Sequence, residues 1–587
     1  MSAPKLSAEA SFDELAALLR RGEHLSAYDL ARRALDEDKS SLPLAHAAVL
    51  SLARAGATDF ARAEFVRLGL STSDDPEALS LGARLLKDVA LAADGPRRRA
   101  FSRASARAYV AAALNGGGRY GLVNAATMSL LAGDVGRTAE LAAAALDAAG
   151  VAANGEAGYF DRASRAEALF LLGRRAEAAG MLEAAVAGAP GSLSAHASTL
   201  RQLSMIAAEI GAPAAWLEIL RPPATAHFTG HMFVAREAGD DVALKARMAD
   251  LVRAQKIGFG YGGLAAGADI LWAETLLAAG AELHVVTPLA LASYAETSVR
   301  PFGEHWVGRF EACLARAASV RFAARDPYAG DDEVFAYASR FAIGCAILRA
   351  EGLSTRAVQV AVWDGRAAAG PAGAGADVAY WRETGRPQSI LPFERPAPDA
   401  PAAVAATEAG ERGVKAMLFI DVRGFGALHD AQVPAFFEVV MAGMAEAIAG
   451  LAAPPEHVET WGDGVFLVFD QPSDAAEAAL VLLEAHRRLN LRARGLPRHL
   501  ALRIGGHYGP VHLRVNPITG AQAVVGAHVV VAARIEPDVA PGAAYVSEAM
   551  AGILATRHAD QYRCGYVGRT TPRKSFPPVS IFNLSRR

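Results

Sequence analysis

The chain has 587 residues, enough at roughly 150 residues per domain for about three to four domains, each burying a core of its own. Lysine and arginine number 59 against 62 aspartates and glutamates, a formal net charge of −3, which excludes a chain built mainly to neutralise a nucleic-acid backbone. With 52% hydrophobic and 21% charged residues the composition is globular, and much of the apolar excess is alanine, the strongest helix former.

The first residues carry charges throughout, and the longest apolar candidate, 435 to 453, is interrupted by Glu438 and Glu446, so no membrane span is expected. Cys313, Cys345 and Cys564 fit no CxxC spacing and make no disulfide framework. A reducing compartment suits them, and a cytoplasmic location is expected.

The pattern predicts a multidomain protein of α and α/β architecture. From 1 to 212 apolar residues recur at helical spacing, as in Ala139 to Ala149 and Arg162 to Leu172. Segments 120–150 and 159–190 share a plan of helix, small-residue turn, helix. They resemble tetratricopeptide-type hairpins, and Asn124, Ala125, Ala126, Gly133 and the ASRAEALFLLG stretch resemble the TRAF-binding helical region of apoptosis-signal-regulating kinases and bacterial signalling proteins. The resemblance implies an α-helical repeat array that could carry a protein partner. Arg97, Arg98, Arg99, Arg103 and Arg107 read first as a solvated helix face, with docking of an acidic partner as the alternative.

From 213 to 392 the period changes. Strands are expected at Thr225 to Gly230, Ile257 to Tyr261, Glu282 to Thr287, Val320 to Ala324, Val358 to Trp363 and Gln388 to Leu391. Helical patterns lie between most of them, which predicts a parallel sheet covered on both faces. Gly260, Gly262, Gly263 and Gly267 form a glycine-rich turn before a helix whose free N–H groups suit a phosphate. Asp269 and Glu274 are expected near the pocket mouth, and Asp364 and Gly365 at the end of a strand where open sheets bind ligands. Asp269 has an equal alternative as a carboxylate complementing the helix dipole. With the GHM triplet at 230–232 and Pro288, these residues resemble the SLOG superfamily, which implies a Rossmann-like domain holding a nucleotide-derived ligand. A Pro- and Ala-rich linker is expected over 393–413.

The last domain, 414–587, carries the sharpest chemistry. AMLFIDVRGFG (416–426) reads as a buried strand ending in Asp421, and VETWGDGVFLVF (458–469) as a hairpin with Asp463 at its tip. Two such carboxylates suit a pair of divalent ions that clamp a triphosphate. The motifs resemble those of class III nucleotide cyclases, and GGHYGPVHL (505–513) and VVGAHVVVAARIEPDVAPGAAYVSEAM (524–550) follow in the family's order. The resemblance implies an α+β cyclase-like domain, two Mg²⁺ or Mn²⁺ ions on Asp421 and Asp463, phosphate cradled by Gly424 and Phe425, and Arg534 stabilising charge in the transition state. It also implies a head-to-tail homodimer in which Arg534 serves the partner's site, with a nucleoside triphosphate as substrate.

This sequence departs from the family where the transition-state asparagine is Val530 and where the second base-selecting position is Ala523. Glu459 stands at the first such position, a residue type that accepts hydrogen bonds from guanine, so GTP is favoured over ATP. The phosphate-binding lysine has three candidate counterparts, Arg569, Arg573 and Lys574. The expected function is a nucleotide cyclase regulated by its two preceding domains; the alternative is a weak or inactive cyclase-fold scaffold. No histidine pair, His231 and His507 included, has zinc-ligand spacing.

Overall fold

The computed structural model describes residues 24–148, 155–233, 241–328, 332–368, 370–393, 412–571 and 577–587, with Gly330 and a few residues between 13 and 19. Most of the expected linker, and Arg573 and Lys574, lie outside the described residues. The chain divides between Pro222 and Pro223 into two compact units, with the short stretch Val567–Arg569 grouped with the first.

Among its described residues the first unit is built of helices and their connections from His24 to Ile210. Gly118–Leu131 and Val135–Asp147 form one hairpin and Gly155–Leu171 and Arg175–Gly188 the next. Small residues pack the hairpins, among them the fully buried Ala125, Ala126, Ala142, Ala166 and Ala178. A buried polar network crosses them. Lys87 Nζ donates to Asn124 Oδ1 and Gln202 Oε1 at 3.2 Å each, and Glu167 accepts from Thr127 (2.6 Å) and Gln202 (2.9 Å). Such a network favours one register of the array, because a slip would strand its polar atoms without partners.

The second unit contains two sheets. The first has six parallel strands, β1 Ala224–Gly230, β2 Ile257–Gly262, β3 Glu282–Thr287, β4 Ser319–Phe322, β5 Ala357–Trp363 and β6 Gln388–Pro392, in the order β4-β3-β2-β1-β5-β6. Each expected strand is present to within a residue or two at either end. These central strands read as apolar runs because helices cover both faces, and Trp272, Trp306 and Trp381 are fully buried beneath them.

The second sheet has eight strands: β7 Arg412–Arg423, β8 His457–Trp461, β9 Gly464–Phe469, β10 Ala501–Val515, β11 Gln522–Val525, β12 Ala543–Ser547, β13 Tyr562–Arg569 and β14 Ser580–Arg586. Their order is β13-β14-β12-β10-β7-β9-β8, with β11 paired to β10. β7 is central, antiparallel to both β10 and β9. Among the described residues one helical stretch, Asp430–Ala449, is long and apolar enough by length and composition to cross a membrane, with a mean hydropathy of 1.3.

Candidate active site

β7 and β9 set the site by register. Ile420 lies opposite Val465, so Asp421, one residue on, reaches the same end of the sheet as the turn that precedes β9. That turn is Gly462-Asp463, a two-residue loop closing the hairpin between Trp461 and Gly464. Gly462 has φ of +60°, a left-handed conformation that such a loop requires at its first position and that glycine adopts without a steric penalty. Asp463 is thereby held at the tip.

Two acids 42 positions apart in sequence therefore meet. The Asp463 carboxyl lies beside Asp421 and the backbone of Val422, both of which act on its proton. Burial raises its pKa above the usual aspartate value, and the neighbouring Asp421 charge raises it further. Two adjacent carboxylates with hard oxygen donors fit a divalent cation of the Mg²⁺ or Mn²⁺ type.

The sequence did not single out two further groups. Arg503 on β10 lies opposite Asp421, donates from Nη2 to Asp421 Oδ2 at 2.6 Å, and pairs with Glu536 at 2.8 Å. An arginine in the otherwise apolar run ALRIGG was the available signal; which strand it would face was not readable. Among the described residues no group of three or more His, Cys, Asp or Glu could hold a metal.

The remaining expected residues lie on neighbouring elements. Gly424 follows β7 with φ of +96°, and the Phe425 ring packs against Phe436 at a tilt of 49° with centroids 4.7 Å apart. Glu459 lies on the exposed edge strand β8, 3.7 Å from His457 Nε2. Ala523 lies on β11 opposite Arg514. Val530, 41% exposed, and Arg534 lie one turn apart on the helix Ala527–Ile535. At i and i+4 they share a face.

In the six-stranded domain the glycine-rich turn has packing work of its own. A Cβ on Gly260 would come within 2.3 Å of Leu276, one on Gly262 within 2.6 Å of Phe228, and one on Gly267 within 2.9 Å of the His231 carbonyl. Asp269 is half-buried against the turn, accepting from the Ala265 amide at 3.4 Å; burial and then Asp377 push its pKa up to about 8, and among the described residues its Oδ1 has no hydrogen-bond partner. Glu274 faces the other way, taking hydrogen bonds from Lys245 (2.9 Å) and Arg309 (2.7 Å) beside a surface cavity of about 540 Å³. At the end of β5, Asp364 lies 3.0 Å from His231 Nε2.

Residues 409–572 match the family model described as the adenylate and guanylate cyclase catalytic domain. The C-terminal domain is thus of nucleotide-cyclase type. No curated protein matches the chain. Similar solved structures include the guanylyl cyclase Cya2, at 23% identity over 30% of this chain and 93% of that one with a TM-score of 0.24. Another is the guanylate cyclase domain of RhGC from Catenaria anguillulae in complex with GTP, at 17% identity over 30% and 100% with a TM-score of 0.27. A third is the adenylyl cyclase CyaB from P. aeruginosa, at 18% identity over 30% and 95% with a TM-score of 0.26.

Proposed function

We propose that the chain is a nucleotide cyclase that converts a nucleoside triphosphate to a 3′,5′-cyclic monophosphate and pyrophosphate. The observation that carries this reading is the meeting of Asp421 and Asp463 at the end of the β7–β9 pair. In the reaction the ribose 3′-oxygen attacks the α-phosphorus, the bond to the β-phosphate oxygen breaks, and the hydroxyl proton is lost. Asp421 and Asp463 would hold the divalent ions, which when bound neutralise triphosphate charge and lower the pKa of the attacking hydroxyl. Arg503 ties Asp421 in place through its ion pair. The backbone at Gly424 and Phe425 takes the phosphates, and Arg534 meets the charge that grows on the α-phosphate.

Arg534 acts on the partner's site in a homodimer. The cyclase domain exposes the apolar side chains of Phe437, Val458, Trp461, Ile518, Val525 and Val530, which such an interface could cover. Glu459 favours guanine, since a carboxylate accepts from the N1–H and the exocyclic amine. The helical unit is read as a tetratricopeptide-like array for a protein partner, and the six-stranded domain as a SLOG-like, Rossmann-type sensor of a nucleotide-derived ligand. The free cysteines Cys313, Cys345 and Cys564 fit a cytoplasmic location. Incubating the purified protein with each of the four nucleoside triphosphates and Mn²⁺, with product analysis, tests the activity; absence of every cyclic product overturns it.

The second reading, an inactive cyclase-fold scaffold, is favoured by Val530, whose side chain has no hydrogen-bonding group. If that missing amide limits turnover, Val530→Asn raises kcat by about tenfold or more, since one placed donor contributes about 2 kcal/mol or more in a water-poor site. A robust parent that asparagine does not improve would show that another group orients the ribose.

A further inference from the structure

The helix that carries Arg534 is short, Ala527–Ile535, and no side chain caps its N-terminus at Gly526. A helix of that length is marginal without tertiary support. Ala532 and Ile535 are fully buried along it, and its first turn is tied by His528.

His528 Nδ1 lies 2.8 Å from His507 Nε2, with the two rings stacked. His507 Nδ1 lies 2.7 Å from Ser547 Oγ, and Ser547 Oγ accepts from the Met550 amide at 3.3 Å, capping the helix Glu548–Arg557. At the other end His528 faces the carbonyl of Ala323, which follows β4 in the six-stranded domain. A carbonyl only accepts, so the imidazole presents Nε2–H to it while Nδ1 faces His507. Burial lowers the pKa of both imidazoles, that of His528 to about 4, so each carries one proton. His528 Nδ1 is then an acceptor, His507 Nε2–H its donor, and Ser547 O–H the donor to His507 Nδ1. From Ser547 through His507 to His528 the hydrogen bonds run in one direction.

The line closes on itself. Glu548, next to Ser547, takes a bidentate pair from Arg321 at 2.7 and 3.0 Å, and Arg321 lies on β4 two residues before Ala323. The same helix crosses Glu333–Leu353 at a glycine pair so close that a Cβ on Gly344 would sit 2.5 Å from Gly552 Cα. Tyr337, on that crossing helix, donates to the Tyr508 carbonyl at 2.8 Å and sets its ring edge against His528.

We propose that the six-stranded domain is a working part of the cyclase site: through the loop Ala323, His528, His507, Ser547, Glu548 and Arg321 it fixes the helix Ala527–Ile535 and so the placement of Arg534. His528 is a positioning residue. Arg534 lies six residues along, about 9 Å at 1.5 Å per residue, so displacement of β4 against the eight-stranded sheet reaches it directly. The inference rests on the cyclase reading for its catalytic consequence and on geometry alone for the anchor.

The test uses the full chain with His528→Leu, which keeps bulk and loses both polar partners, and His528→Gln, whose amide can accept from His507 and donate to Ala323. For leucine, kcat should fall about tenfold or more with the nucleotide KM within about twofold, the pattern of a lost transition-state contact. Amide exchange over 527–535 should quicken about tenfold while 501–515 stays protected. Glutamine should restore both. Unchanged kcat and protection in the leucine variant overturn the proposal, as does equal loosening of 501–515, which would mean general loss of fold. If the parent makes no cyclic nucleotide the cyclase reading fails, and the exchange comparison alone decides the anchor.

Discussion

Asp463→Asn is expected to abolish cyclase activity, by about 10²-fold or more, while making the metal-free protein more stable at neutral pH. The register that brings Asp421 and Asp463 together also sets two like charges side by side. Asp463 has its folded pKa raised, first by burial and then by Asp421, so the folded state holds this proton more tightly than the unfolded chain. Stability from this group is therefore greatest below the unfolded pKa, falls as pH rises toward the folded pKa, and stays reduced above it. Asparagine removes that cost. A bound divalent ion relieves it too, and at about 100 times its Kd contributes about 2.7 kcal/mol. Mn²⁺ should accordingly raise the parent's melting temperature more at pH 7 than near pH 4, and should not raise that of Asp463→Asn. Asp421→Asn should lose activity similarly without the gain in stability, because Arg503 then loses one of its two carboxylate partners and keeps Glu536. A Mn²⁺ shift that survives in both variants, or activity that survives in either, would place the metal elsewhere.

The strands of the parallel sheet were legible because burial on both faces leaves a continuous apolar run, and the apolar run of β7 up to Asp421 was legible for the same reason, although the strand continues to Arg423. The Asp463 hairpin could be read from Gly462 and the apolar runs on either side. What the sequence did not disclose depends on pairing between distant segments. Arg503 acquires its meaning only when β10 lies antiparallel to β7, and Arg321 and Glu548 are 227 positions apart. The glycine-rich turn shows the converse limit: Gly260, Gly262 and Gly267 looked like a ligand cradle, yet side-chain and backbone atoms of the protein already crowd each position. His528 gave no signal, since nothing local predicts that His507 and Ala323 would converge on it.

Arg534→Ala should reduce turnover by about 10²- to 10³-fold, the loss typical of one fixed charge aimed at a developing oxyanion, with little effect on the nucleotide KM. Arg534 lies at the last turn of Ala527–Ile535, on a different element from the acids, and this separation gives the prediction a sharper form. If each site combines the acids of one chain with Arg534 of its partner, Arg534→Ala and Asp421→Asn fail in complementary ways. A mixed dimer then has one site with both defects and one with neither. Random exchange of equal amounts makes half the dimers mixed, so activity should return to about one quarter of the parent's, as two-fold symmetry requires. Measuring cyclic product before and after mixing the two inactive variants decides the matter. Recovery would place Arg534 across the dimer; continued inactivity after demonstrated subunit exchange would confine each site to a single chain.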